Sequence, residues 1–148
     1  MTVKRTHVRL AVLVAALAPL GITAQNGDGF VRLTPDDLEW TIGSEGPDRV
    51  TIAGDPSKEG FYVIRVRFRA GSYSRPHYHP NDRHVTVISG VWWTGTGDEV
   101  NWDEAVPLYP GSYMMHPGGA VHWDGAMEED VVVEIKGMGP APSIPAGQ

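Results

Sequence analysis

The sequence predicts an all-β domain, a small sandwich or barrel of short strands. Residues 62–69 and 131–136 alternate between apolar and polar side chains, which is the period of a strand with one buried and one exposed face. Further short apolar runs lie between them, separated by clusters of Gly, Pro and Asp that favour turns. With no internal repeat, the chain has the length of one domain around one core.

The N-terminus has the order of a secretory signal peptide. Three basic residues within the first nine precede an apolar run from Leu10 to Leu20, and small residues follow up to Ala24. This order predicts residues 1–24 as a signal peptide cleaved after Ala24. The run is short for a bilayer span, although an uncleaved anchor is the alternative. We therefore expect a periplasmic or secreted bacterial protein, without stable membrane insertion after cleavage.

Charge argues against one class of partner. Removing residues 1–24 lowers the Lys and Arg count from 12 to 9 and leaves all 18 Asp and Glu, a formal charge of −9. Such a surface repels phosphate backbones, so nucleic acid is not an expected partner. The chain has no cysteine, and no disulfide framework is available.

The segments after the leader are expected in the following order. Residues 25–30 form a linker, and Thr34 to Asp37 begin a helical turn with proline at its first position. Strands follow at 62–69, 85–89, 90–94, 111–116 and 131–136, within a barrel that spans 31–140. Residues 141–148 form a Pro- and Gly-rich tail that leaves the barrel as an extended strap.

Arg65, Arg67 and Arg69 share one face of their predicted strand. The default for such a stripe is exposure to solvent. A contact in a homodimer is the alternative.

Histidines are concentrated in two glycine-punctuated frames. Five of the six lie between positions 77 and 122. In the first frame, Gly71 precedes His77 by six positions, and His79 follows His77 by two, so both imidazoles project from one face of an extended segment. In the second frame, Gly111, Pro117 and Gly119 lead to His122. His77, His79 and His122 are therefore candidate ligands of one divalent transition metal, with Fe, Zn, Mn, Ni and Cu not distinguished.

The two frames resemble the conserved motifs of the cupin superfamily, G-x5-H-x-H-x3–4-E-x6-G and G-x5-P-x-G-x2-H-x3-N. The resemblance covers about residues 31–140. The segments Gly54–Gly60, His77–Asp82 and His84–Gly90 further resemble small secreted bacterial cupins of poorly defined activity. The resemblance implies a double-stranded β-helix, or jelly-roll barrel, with the histidines inside one mouth.

The chain departs from the motif where the family has its glutamate ligand. Arg83 stands there, and a guanidinium has no lone pair for a metal. Arg83 points inward to hold an anion beside the metal, or it marks a site with weakened metal affinity. His84 is one position further on and would turn inward only through a bulge. A smaller departure is Ala126, where the longer motif has asparagine.

Other side chains are candidates for supporting roles. His116 is a further ligand or a residue that positions the ligands. Tyr78 and Trp92 are candidates for substrate or anion binding, although aromatics are usually core in small barrels, and strand alternation allows only one of Trp92 and Trp93 to face inward. No general base stands out; His84, Tyr78, His116 and Asp124 are nearest in sequence, and geometry must decide.

Two functional hypotheses follow from these residues. The first is an exported metal-binding cupin, with oxygenase, isomerase, lyase or decarboxylase chemistry on a small molecule. The second is a non-catalytic periplasmic binding or sensory module in which Arg83 replaces the metal charge. The orientation of Arg83 discriminates between them, because a guanidinium inside the histidine cluster supports the second hypothesis and one turned to solvent supports the first.

Overall fold

In a computed structural model, residues 29–44 and 46–147 are described. The signal peptide and most of the linker therefore lie outside the described residues. Among those that are described, no helix is long and apolar enough to cross a membrane.

The regular secondary structure of the described residues is almost entirely β-strand. Two short 3-10 helices also occur, Pro35–Asp37 and Trp102–Glu104. The strands, in chain order, are β1 Asp48–Ala53, β2 Gly60–Phe68, β3 His77–Tyr78, β4 Arg83–Ser89, β5 Trp92–Thr96, β6 Val106–Leu108, β7 Tyr113–His116, β8 His122–Gly125, β9 Val131–Gly139 and β10 Ile144–Pro145.

The strands form two five-stranded antiparallel sheets. One has the order β1-β2-β9-β4-β7 and the other β10-β3-β8-β5-β6. This arrangement confirms the predicted all-β double-stranded β-helix. The predicted turn at Thr34 is also present, because the Asp37 carboxylate accepts hydrogen bonds from the Thr34 N–H and hydroxyl, both 2.7 Å long.

The apolar core lies where the alternating strands face each other. Val131, Val133 and Ile135 of β9 are buried beside their cross-strand partners Phe68, Val66 and Ile64 of β2, on the same inward face of the sheet. Of the two tryptophans in β5, Trp92 is buried and belongs to the core cluster. Because this core fills one part of the barrel, polar inward-facing residues are gathered at the other end.

The arginine stripe on β2 is ion-paired within the chain. Arg67 and Arg69 contact the buried carboxylate of Asp48 at 2.7 and 3.1 Å, and Arg65 contacts Glu134 at 3.1 Å. The stripe lies on the outer face, as expected, but only Arg69 is mostly exposed, at 55% against 26% for Arg65 and 30% for Arg67. The acids that pair with it come from neighbouring strands, which the sequence pattern did not reveal.

The C-terminal tail lies on the barrel instead of leaving it. β10 pairs with β3, with Pro145 opposite His77 and Ile144 opposite Tyr78. The N–H of Ala146 also donates to the Pro76 carbonyl at 3.0 Å. The tail is extended, as expected, but it is held against the strand that carries His77.

Candidate functional site

The structure brings together the three imidazoles of the two sequence frames. His77 lies opposite His122 in the pairing of β3 with β8, and His79 follows β3 directly. The ring centroids are 4.5 Å apart for His77 and His122, 4.9 Å for His77 and His79, and 5.5 Å for His79 and His122. One nitrogen from each ring lies within 4.8 Å of the other two. We refer to these three rings as the imidazole cluster.

Backbone carbonyls fix the orientation of each ring in the imidazole cluster. Nδ1 of His77 is 2.7 Å from the carbonyl oxygen of Arg75, and Nδ1 of His122 is 3.0 Å from that of Ala120. Nδ1 of His79 is 2.9 Å from the carbonyl of Pro142, in the C-terminal tail. A carbonyl only accepts, so each Nδ1 carries the proton, and in the neutral ring Nε2 carries a lone pair. The cluster therefore offers three Nε2 lone pairs.

Arg83 points into the cluster from β4. Its register is regular, opposite His116 on β7 and Gly137 on β9, so no bulge rotates this part of the strand. The side chain is only 9% exposed, and Nη1 hydrogen-bonds to Nε2 of His79. The guanidinium thus uses one of the three Nε2 lone pairs, and its Nε has no hydrogen-bond partner.

Tyr62 lies on β2, separated from Arg83 by the intervening strand β9, where both residues pair with Gly137. It is 1% exposed, and it lies close enough for the charge of Arg83 to act on its hydroxyl. Burial raises the pKa of Tyr62, and the charge of Arg83 partly opposes that rise. A Cβ at Gly137 would lie 2.9 Å from the phenol oxygen, so glycine at this position makes room for it. Sequence reasoning missed Tyr62 because an inward tyrosine in a strand looks like ordinary core.

His116 belongs to the same polar end of the barrel. Its ring stacks on His122 with centroids 3.8 Å apart, and it is 3% exposed. Neither ring nitrogen has a hydrogen-bond partner, and Nε2 of His122 has none. The sequence placed His116 only as a further ligand or a positioning residue, and the structure brings it into direct contact with the imidazole cluster.

Asp124 is the carboxylate nearest to this end. It is buried on β8, and its Oδ1 accepts a hydrogen bond of 2.9 Å from the Ser74 hydroxyl. One oxygen of Asp124 and one nitrogen each of His116 and His122 lie within 4.8 Å of one another. Asp124 is therefore the acidic side chain best placed to balance charge in the barrel.

Burial favours the neutral form of three imidazoles, those of His79, His116 and His122. It lowers the pKa of His79 to about 3, with the charge of Arg83 adding to the effect. It also lowers the pKa of His116 to about 2, with His122 and Arg83 adding to it. The pKa of His122 is lowered by burial as well, although its bond to Ala120 opposes this. Neutral imidazole is the form that binds metals.

Three other candidates lie outside the imidazole cluster. His84 is exposed, with Nδ1 2.8 Å from the Tyr113 hydroxyl. It cannot be a ligand in this arrangement, because alternation turns it away from Arg83. Tyr78 alternates away from the neighbouring histidines and lies beside Ile144 and Val121. Trp92 lies in the core with its ring 5.7 Å from that of His116, and its indole N–H has no partner.

The donor set fits a divalent transition metal on one condition. Three converging imidazole nitrogens suit zinc, iron, copper or nickel, and carbonyl-anchored Nδ1 atoms are typical of metal-binding histidines. The condition is that Arg83 releases Nε2 of His79, since a guanidinium cannot be a ligand.

Residues 29–141 match the family model of the ChrR Cupin-like domain. The chain belongs to this family. A cupin fold thus accounts for both the jelly-roll topology and the position of the imidazole cluster inside it.

Solved structures support the same fold. The polyketide cyclase RemF from Streptomyces resistomycificus superposes with a TM-score of 0.67 at 14% identity, covering 80% of this cupin and 87% of RemF. KdgF from Halomonas sp. gives 0.57 at 22% identity, covering 72% and 93%. The DMSP lyase DddQ from Ruegeria pomeroyi gives 0.60 at 15% identity, covering 74% and 61%.

One curated relative shares a local segment. Germin-like protein subfamily 3 member 2 of Arabidopsis thaliana is 32% identical over 65 residues, 43% of this cupin. The match spans 29% of the germin-like protein.

Proposed function

We propose that this cupin binds a small molecule beside a divalent transition metal held by His77, His79 and His122. The observation that carries the proposal is the anchoring of all three Nδ1 atoms on backbone carbonyls, which leaves Nε2 as the donor atom of each ring, in a cluster where one nitrogen from each ring lies within 4.8 Å of the other two. Such outer contacts fix the tautomer and orientation that a metal requires.

A bound metal would supply Lewis acidity or lower the pKa of a bound water. The chain's own residues would shape what binds beside it. Arg83 supplies a buried positive charge, and His116, stacked on His122, supplies a neutral imidazole whose two nitrogens have no hydrogen-bond partner. Neighbours named as a polyketide cyclase and a DMSP lyase support an organic small molecule as substrate. Oxygenase, isomerase, lyase and decarboxylase chemistry are all compatible with this site.

The test is metal analysis of protein purified without a histidine tag and dialysed against a trace of each candidate metal. We expect close to one equivalent of one metal in the wild type and in His84→Ala, which removes a histidine outside the cluster. The double variant His77→Ala, His79→Ala should hold less than about a tenth of that amount. Equal, near-zero metal in the wild type and the double variant would contradict the proposal.

A second candidate function is a metal-free binding or sensory module. The hydrogen bond from Arg83 to Nε2 of His79 favours it, because a cation already occupies the position that a metal would take. This function predicts that a ligand raises the melting temperature in the presence of a chelator. Stabilisation that disappears when metal is stripped would exclude it.

We also propose that the protein is exported after cleavage at Ala24, on the order of basic, apolar and small residues in 1–24. N-terminal sequencing of the protein from a periplasmic fraction should begin at Gln25.

A homodimer is a further proposal, and light scattering of the purified protein would give its mass. A monomer at micromolar concentration would contradict it.

A further inference from the structure

Two adjoining cavities beside the imidazole cluster are lined by arginines. One, of about 400 Å³, reaches His79 and Arg83, and the other, of about 730 Å³, reaches His77 and Arg75. Arg49 lies on both. No Asp or Glu occurs among the described residues that line them, although acidic residues outnumber basic ones by 18 to 12 in the whole chain. The charge of these cavities is thus opposite to that of the chain.

Arg83 is a buried cation without an ion-pair partner. Within residues 29–44 and 46–147, no carboxylate forms an ion pair with it, and Asp124 attracts it only at longer range. The outward arginines of β2 differ, since Arg65 and Arg67 each contact a carboxylate. A buried, unpaired charge is strongly unfavourable. An anion bound beside Arg83 would remove this penalty.

Arg49 adds a second positive charge at the opening. It lies on β1 at the wall of the smaller cavity, and its charge opposes protonation of Arg83. Two like charges that face a common space favour a negative ligand between them. Arg83 and Tyr62 both line this cavity, and Nε of Arg83 has no hydrogen-bond partner within the described residues.

The rest of the smaller cavity is largely apolar. Its walls include Pro56, Ile64, Ala141 and Pro142, from the loop after β1, from β2 and from the C-terminal tail. Such walls do not suit a free inorganic ion, which would stay hydrated. They suit a ligand with an apolar body, and a volume of about 400 Å³ is in the range of small-molecule sites.

We propose that the cavity between Arg49 and Arg83 binds an organic carboxylate with an apolar body. The carboxylate lies against the two guanidinium groups, whose planar geometry matches it. The apolar body packs on the proline-rich wall. This inference rests on the part of the proposed function that places a small molecule in the barrel, and it does not depend on the metal.

The test is calorimetric titration in the presence of a chelator, with benzoate, hexanoate, benzyl alcohol and inorganic phosphate as probes. In the wild type we expect saturable binding of benzoate or hexanoate, and binding at least about tenfold weaker for benzyl alcohol and for phosphate. Arg83→Met should weaken carboxylate binding at least about tenfold, and Arg49→Met several-fold. Arg65→Met, on the outer face of β2, is the matched control and should leave binding unchanged.

Two outcomes would overturn the proposal. One is the absence of binding of both carboxylates at about 10 mM. The other is equal binding of benzoate and benzyl alcohol, a comparison made in the wild type that requires no variant to fold. Loss of the metal site alone would change metal content and leave these titrations intact, so the two failures are distinguishable.

Discussion

Replacing Arg83 by methionine should strengthen metal binding. In the wild type, a metal must first take Nε2 of His79 from the guanidinium, which breaks a hydrogen bond to a charged group. Such bonds contribute about 1.5–3 kcal/mol. At about 1.4 kcal/mol per tenfold change, the bond lowers metal affinity by a factor of about 10 to 150. Arg83→Met removes this competition and also the repulsion between two cations.

Arg83→Glu should increase metal affinity further, because it places a carboxylate where the cupin motif has one. The assay is competition with a chromophoric chelator, using zinc and manganese, with Arg65→Met as the control. The melting temperature of Arg83→Met should equal or exceed that of the wild type, because an apolar side chain replaces a buried unpaired charge. Metal affinity that is unchanged or lower in Arg83→Met would refute the reasoning.

Three further predictions concern the surroundings of the cluster. First, the pKa values of His79 and His116, about 3 and about 2, lie below the ordinary 6.5, so the unfolded chain takes up protons that the folded chain does not. The contribution of these two histidines to the unfolding free energy of the metal-free protein should therefore be at its maximum above pH 6.5. As the pH is lowered from 6.5 toward 3, the unfolding free energy should fall by up to about 1.4 kcal/mol per pH unit for each histidine. Urea titrations at several pH values should show this dependence of the unfolding free energy on pH, and His116→Phe should reduce it. Equal dependences in the wild type and in His116→Phe would count against a buried, neutral His116 ring. Second, ending the chain after Ala141 removes the Pro142 carbonyl that contacts His79, and it should weaken metal binding about 10–100-fold. Ending the chain after Ala146 is the control and should leave metal affinity unchanged. Equal affinities of the two truncated proteins in chelator competition would show that the tail does not orient the His79 ring. Third, Gly95→Ala would place a Cβ against the Trp123 ring and should lower the unfolding free energy, measured in urea, by about 1–3 kcal/mol. An unchanged midpoint of urea unfolding would contradict this prediction.

The sequence predicted the parts of the fold that follow from local periodicity. Alternation placed Val131, Val133 and Ile135 inward because a strand has a period of two, and the same rule brought His77 and His79 to one face. It also predicted that Arg83 and His84 point in opposite directions, as they do.

The sequence could not predict contacts that depend on barrel closure. The stacking of His116 on His122 joins strands from different sheets, so no spacing within one strand encodes it. The contact between Nδ1 of His79 and the Pro142 carbonyl was not predictable, because a backbone acceptor in a Pro-rich tail is not marked by any side chain. The pairing of Arg67 with Asp48 was missed because the partner lies on the adjacent strand.

The ring tautomers of the imidazole cluster test the central claim most directly. A long-range proton–nitrogen NMR spectrum of metal-free protein labelled with nitrogen-15 reports which nitrogen of each histidine carries the proton. The account predicts protonated Nδ1 and bare Nε2 for His77, His79 and His122, with all three Nε2 signals shifting when one equivalent of metal is added. Protonated Nε2 in these rings, or no shift on adding metal, would contradict it.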